Sequence, residues 1–267
     1  GDIFASILSK SKIHVNIVKG YTLPQTANSN TLVIAVSVSG DTSETLSVLE
    51  SAHHLGCRII AFSSGGKMHE YCKINKIEHR FVLKHHSPRA SFTSYLYTIL
   101  KVLHTTFEIK HDDITESIVE MEKTRNKINS SNLSKGNPAL QLAEGITNIP
   151  VIYYPFGLQS AAIRFKNSLQ ENTKIHAMIE NIVETCHNGI VSWEKTSNVQ
   201  PILIQGADDF IKTKERWKIV KEYFKNNEIN YLEITSVTGS ILSKIINLIY
   251  ILDYSSIYCA AINKTDP

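Results

Sequence analysis

The sequence has little of what marks metal, disulfide or membrane proteins. Its 267 residues hold four cysteines, Cys57, Cys72, Cys186 and Cys259, which stand far apart without a Cys-x-x-Cys pair. Neither a zinc ribbon nor a dense disulfide framework is encoded, and a reducing cytoplasm is the simplest compartment. No apolar run approaches the roughly 20 residues that span a bilayer. The longest, Ile241 to Ile251, is interrupted by Ser243, Lys244 and Asn247 and reads as a buried helix. Charge of one sign is scarce too: the net charge is +3, with Lys spread along the chain rather than gathered into a stripe. That excludes a nucleic-acid footprint and leaves small anions open as ligands. No His and Glu cluster has metal-ligand spacing, so neither a metal nor another cofactor is expected. The chain opens on Gly1 with no charged-then-apolar leader behind it, so no signal peptide is read.

What is present reads as α/β. Hydrophobic residues make up 42% and charged residues 20%, enough for one large core or two of roughly 120 residues each. Thr31 to Ser37 and Arg58 to Ser63 are β-branched apolar runs, the pattern of parallel strands covered on both faces. Between them Thr42 to Leu55 has helical spacing and stops at Gly56, completing a strand, helix, strand crossover. An earlier strand is expected at Ile13 to Val18, a later one at His79 to Leu83, and a helix at Ser91 to Leu103. Glu108 to Gly145 is polar and turn-rich at Asn129 to Gly136, the pattern of a helical linker. Strands resume at Pro150 to Tyr154, Pro201 to Gln205 and Tyr231 to Thr235, with helices at Lys212 to Asn226 and from Gly239. The expected organisation is a first doubly wound domain over 1–110, a linker over 111–148 and a second doubly wound domain over 149–267, with parallel sheets.

The first chemical feature is the loop Ser37-Val38-Ser39-Gly40-Asp41-Thr42-Ser43-Glu44-Thr45, between a buried strand and a helix. Ligands of α/β sheets bind at that carboxyl end. Ser37, Ser39 and Thr42 offer hydroxyls, Gly40 permits close backbone approach, and the helix N-terminus favours an anion. These are the parts of a phosphate cradle. The competing reading is that Asp41 or Thr42 caps the helix, with Glu44 or Thr45 completing the box. A second loop, Ser87-Pro88-Arg89-Ala90-Ser91, sets Arg89 near another helix start, where it is either solvated or functional. In the second half, Glu171 and Asn172 lie near a helix end, and His187 stands between Glu184 and Asn188; alone, each pattern is ordinary surface.

Taken together these segments resemble the bifunctional phosphoglucose/phosphomannose isomerases, a family of sugar isomerase (SIS) domains. Ser37 to Leu46 is similar to the SxSGxTxETL phosphosugar signature, with Asp41 where the family usually has Asn. Arg164 to Lys174 is similar to RxKxxxNENAK, with Gln170 and Thr173 as departures. Val183 to Trp193 is similar to PExxHNxIxGW, with Val183 and Ser192 as departures. The resemblance implies two SIS-type αβα domains and interconversion of glucose 6-phosphate or mannose 6-phosphate with fructose 6-phosphate, without metal.

It further implies that Ser37, Ser39 and Thr42 hold the phosphate, with Arg89 stabilising an enediolate and Ser87 beside it as a further substrate contact. Proton transfer between C1 and C2 needs a carboxylate near both carbons, which makes Glu171 the candidate. Ring opening needs a group that exchanges a proton near neutral pH, which makes His187 the candidate. On one straight helix the two would stand about 24 Å apart, so the chain between them turns or they come from two subunits. The family implies a homodimer with His reaching across the interface. Glu184 and Asn188 either orient His187 or merely close a turn. Gly1-Asp2 is similar to the end of the family's GMGGSGIxGD loop, and Asp253 to Ala261 is similar to its D-x-x-S-V-Y-L-A helix. The chain is therefore expected to lack both ends of a complete relative, including a terminal Lys helix, which leaves this piece either active, inactive or a non-catalytic sugar-phosphate-binding module.

Overall fold

The computed structural model describes residues 1–267, which divide into two compact units. One comprises Val15–Ile109 with Gly1, the other Asp2–His14 with Lys110–Pro267. The opening helix α1 (Asp2–Ile7) belongs to the second unit.

The first unit is built from β1 (Leu32–Ser37), α2 (Ser43–His54), β2 (Arg58–Ser63), α3 (Gly66–Ile74), β3 (Glu78–Phe81) and α4 (Phe92–Leu103). Its three strands are parallel and follow one another without reversal, β1-β2-β3, with Ala35 opposite Ala61 and Ser37 opposite Ser63. Ala35, Leu49, Ala61, Met68 and Cys72 form the core between this sheet and the helices α2 and α3. Gly56, at φ +67°, supplies the left-handed residue that ends the α2 turn. Two expectations need correction. β1 is covered fully on one face and only in part on the other: Val33, Ala35 and Ser37 are buried, Leu32 and Ile34 are half-buried, and Val36 is 39% exposed. Ile13 to Val18 forms no strand: no neighbouring strand pairs with it, and Ile13 and Ile17 stay exposed.

The second unit continues with α5 (His111–Ile128), α6 (Pro138–Gly145), β4 (Ile149–Tyr154), α7 (Gln159–Ser168), β5 (Met178–Asn181), α8 (Ile182–Thr185), β6 (Val199–Gln205), α9 (Ile211–Asn226), β7 (Leu232–Thr235) and α10 (Ile241–Ile262). Its parallel sheet has the order β5-β4-β6-β7, so the winding reverses at β4, as in a doubly wound fold. Tyr153, Leu203, Trp217, Val220 and Phe224 fill one face. The Tyr153 hydroxyl accepts a 3.0 Å bond from Trp193 Nε1, and burial pushes its pKa up to about 12. The polar segment 111–148 forms α5 and α6, both packed on α10. Glu116 of α5 accepts hydrogen bonds from Ser240 N (3.0 Å) and Ser243 Oγ (2.8 Å) at the start of α10. The Ser240 hydroxyl first, then these two bonds, hold its carboxyl below the usual range. Asn137 caps α6 by accepting from Ala139 N and Leu140 N, with Pro138 in the first turn. α10 is long and apolar enough to cross a membrane by composition, yet most of it is buried against α5, α6 and α7, as in the core helix of a globular unit.

Candidate active site

The loop after β1 is braced from within by its own side chains. Ser37 Oγ and Thr42 Oγ1 are 2.8 Å apart, and Ser37 Oγ accepts from Gly40 N at 3.0 Å. Ser39 Oγ accepts from Asp41 N at 3.1 Å. The three hydroxyls expected to meet an anion thus lie on one short turn. Thr42 occupies the N-cap position of α2 but makes no side-chain cap bond. Asp41 caps a different helix: its Oδ1 accepts from Lys67 N, 2.9 Å away in the first turn of α3. The carboxylate in place of the usual Asn is therefore committed to a backbone N–H. We expect Asp41→Ala to cost about 1 kcal/mol of stability, the ordinary value of a lost cap, and Asp41→Asn to cost less. Urea unfolding of the two variants measures this.

The loop after β2, Ser63-Ser64-Gly65-Gly66, locks against the first. A Cβ on Gly40 would lie 1.9 Å from Gly65 O, and one on Gly66 would lie 2.4 Å from Ser39 O. Ser63 Oγ donates to Gly65 O (2.8 Å), which leaves His79 Nε2 to donate to Ser63 Oγ (2.8 Å). Burial first, then the neighbouring His69, lowers the His79 pKa. Sequence reading missed this second loop, although small residues closing a strand were its signal.

Arg89 sits half-buried in the turn before α4. Ser87 closes that turn: its Oγ accepts from Ala90 N (3.2 Å) and its carbonyl from Ser91 Oγ (2.9 Å). Ser91 Oγ in turn accepts from His85 N at 2.9 Å.

In the second unit, α7 does not simply end. It widens into a π-turn over Leu169–Thr173, stopped by Lys174 in the left-handed region at φ +59°. Single π-turns of this kind concentrate at functional positions. Leu169, Asn172 and Thr173 are buried while Glu171 faces solvent. Lys174 Nζ donates to the Glu171 carbonyl, and Thr173 Oγ1 donates to Leu169 O at 2.5 Å. The turn is also tied to α10. Arg164 forks onto Asp253, with Nε to Oδ2 at 2.8 Å and Nη2 to Oδ2 at 2.7 Å. Ser168 Oγ donates to Asp253 Oδ1 (2.9 Å), and Asn172 Nδ2 donates to Ser256 Oγ (2.7 Å). Two segments read separately from sequence therefore face one another.

His187 is exposed in the turn after α8, where Glu184 O accepts from His187 N (2.9 Å) and Asn188 N (3.2 Å). Between Glu171 and His187 the chain runs through the π-turn, β5 and α8, so no straight helix joins them. The bonds that Glu184 makes to His187 and Asn188 are backbone bonds that close the turn. A Cβ on Gly189 would stand 2.6 Å from Glu180 Oε1. This glycine therefore admits a carboxylate to the His187 turn that sequence reading did not single out. Arg89 and the phosphate-type hydroxyls belong to the first unit, Glu171 and His187 to the second.

At the carboxyl ends of β6 and β7 several polar side chains are already committed to local bonds. Asp209 Oδ2 already accepts from Gly206 N (3.0 Å) and Trp217 Nε1 (2.9 Å), and Ser236 Oγ accepts from Ala207 N (3.2 Å). A cleft of about 400 Å³ beside it is lined by Lys214, Lys218 and Lys221, but Lys221 is paired with Glu233.

Residues 135–267 match the family model of the bacterial phospho-glucose isomerase C-terminal SIS domain. Over 98% of its length the chain is 31% identical to the bifunctional phosphoglucose/phosphomannose isomerase of Caldicellulosiruptor bescii, covering 79% of that protein. The enzyme of the same name from Thermoplasma acidophilum is 29% identical over the whole chain and 81% of its own length. The fold is similar to the crystal structure of tagatose-6-phosphate ketose/aldose isomerase from Escherichia coli, with a TM-score of 0.76 at 14% identity over 100% of this chain and 80% of that one. A relative above 30% identity matched over most of both chains, together with two parallel α/β sheets, places this chain in the bifunctional phosphoglucose/phosphomannose isomerase family.

Proposed function

We propose that the chain is a metal-independent aldose–ketose isomerase that interconverts glucose 6-phosphate, mannose 6-phosphate or both with fructose 6-phosphate. The observation that carries the reading is the π-turn that buries Asn172 and holds Glu171 out to solvent. A carboxylate so presented suits the transfer step. In the open-chain aldose, Glu171 takes the proton from C2, and the electron pair moves onto the C1 oxygen to give an enediolate. The C2 hydroxyl proton passes to the C1 oxygen through solvent, and Glu171 returns its proton to C1 as the C2 oxygen becomes the ketone. Arg89 stabilises the charge of the enediolate, and a guanidinium stays ionised throughout. Ser37, Ser39 and Thr42 hold the phosphate, and His187 exchanges a proton with the ring oxygen to open the sugar. The two aldoses differ only at C2 and share one enediol, so a site tolerant of either epimer serves both.

In this reading His187 reaches the site from a second copy, which makes the working form a cytoplasmic homodimer with its sites at the interface. The test is a coupled assay of both aldose products from fructose 6-phosphate, with and without a strong chelator. We expect saturable turnover at a rate the chelator leaves unchanged. A rate abolished by chelation and restored by a divalent metal overturns the metal-free mechanism.

A further inference from the structure

We infer that Asp253 is a positioning residue for Glu171, acting through Arg164 and Ser168 and, by way of Ser256, through Asn172. The inference rests on the reading of Glu171 as the proton carrier. Asp253 and Ser256 are three residues apart on α10, and Arg164 and Ser168 four apart on α7, so each pair shares one helix face. The faces meet through the fork from Arg164 to Asp253 and the 2.9 Å bond from Ser168. Ser256 completes the chain: its Oγ donates to Asp253 O (2.7 Å) and accepts from Asn172 Nδ2 (2.7 Å). Much of this is withdrawn from water, with Ser256 at 0% and Asn172 and Ser168 at 6% exposure. Buried hydrogen bonds of this kind hold one geometry firmly because each unmet group is costly.

What they hold is a register. A π-turn takes one residue more per turn than the α-helix that precedes it, and α-helical continuation is the ordinary alternative. Slipping by one residue rotates each side chain by roughly 100° about the axis. The ties at Arg164, Ser168 and Asn172 fix α7 before the turn and the turn itself, so they select the register in which Asn172 points in and Glu171 points out. The phosphate-type hydroxyls lie in the other unit. Loss of Asp253 should therefore slow proton transfer while leaving substrate capture largely intact.

The test uses the full chain with glucose 6-phosphate carrying deuterium or protium at C2. For Asp253→Asn we expect kcat to fall about 10- to 100-fold, the usual scale for a misplaced reacting group. We expect KM to stay within about twofold, and the isotope effect on kcat to rise because proton transfer becomes more limiting. A smaller population of folded enzyme would lower the rate and leave the isotope effect where it was. That result, or a KM rising in step with the loss, overturns the inference. Should Asp253→Asn not fold, Ser168→Ala removes one bond of the set, and the same two readouts decide. Glu171→Gln, run in parallel, separates the two claims. Full activity there removes the proton-carrier reading and the inference with it. An inactive Glu171→Gln beside an unmoved isotope effect in Asp253→Asn removes the inference alone.

Discussion

Glu171→Gln is expected to lower kcat for fructose 6-phosphate by about 10³-fold, within the range that general acid–base catalysis contributes. Glutamine keeps the size and hydrogen-bonding reach of the side chain but cannot carry a proton between two carbons. The turn itself should survive the change, because the bonds at the Glu171 backbone carbonyl, at Asn172 and at Ser168 are all kept by glutamine. Glu171 is exposed, so thermal stability should move little. KM should also change little, since the phosphate-type hydroxyls are on another unit. A coupled assay at saturating substrate gives the answer, and undiminished turnover would remove Glu171 from the mechanism.

Gly40→Ala is the second large effect. Gly40 has φ +79°, where an L side chain costs roughly 1–2 kcal/mol before any contact is counted. The added Cβ would also stand 1.9 Å from Gly65 O and 2.8 Å from Gly65 C. Both are backbone atoms, with no flexible side chain to swing aside. Gly66, itself at φ +68°, would bring a Cβ to 2.4 Å from Ser39 O, so each loop blocks the retreat of the other. We expect a loss of more than about 2 kcal/mol in urea unfolding. The surviving folded protein should show a KM for sugar phosphate raised about tenfold, one lost hydrogen bond to a charged group being worth that much. Gly20→Ala is the control: nothing lies within 4 Å of its added Cβ, and its cost should stay within about 0.5 kcal/mol. Equal behaviour of the two variants would show that the loop does not depend on this interlock.

The features legible in the sequence are those whose cause is local. β1, β2, β4 and β6 are apolar runs, α9 is amphipathic, and Ile241 to Ile251 reads as a buried helix, which the structure continues to Ile262 as α10. The phosphate-type loop was legible because its hydroxyls and glycine lie within six consecutive residues. What stayed hidden depends on distant partners. Asp41 is ambiguous in sequence because the N–H it caps lies 26 residues on, at Lys67. Arg164 had no stated role because Asp253 is 89 residues away. β5 has only four residues and α3 begins at a pair of glycines, so neither gives a periodic signal. Ile13 to Val18 misled in the opposite direction: its alternation suits a strand, but a strand needs a neighbour to supply the ladder, and none is there.

Incubation with fructose 6-phosphate in D₂O, followed by proton NMR of the aldose products, tests the central claim most directly. Transfer through an enediol by a carboxylate lets solvent exchange with the carried proton, so glucose 6-phosphate, mannose 6-phosphate or both should appear with deuterium in a measurable fraction at C2. Aldose formed with protium alone at C2 would contradict the carboxylate route, and saturable binding of fructose 6-phosphate without any aldose would show a sugar-phosphate-binding module in place of an isomerase.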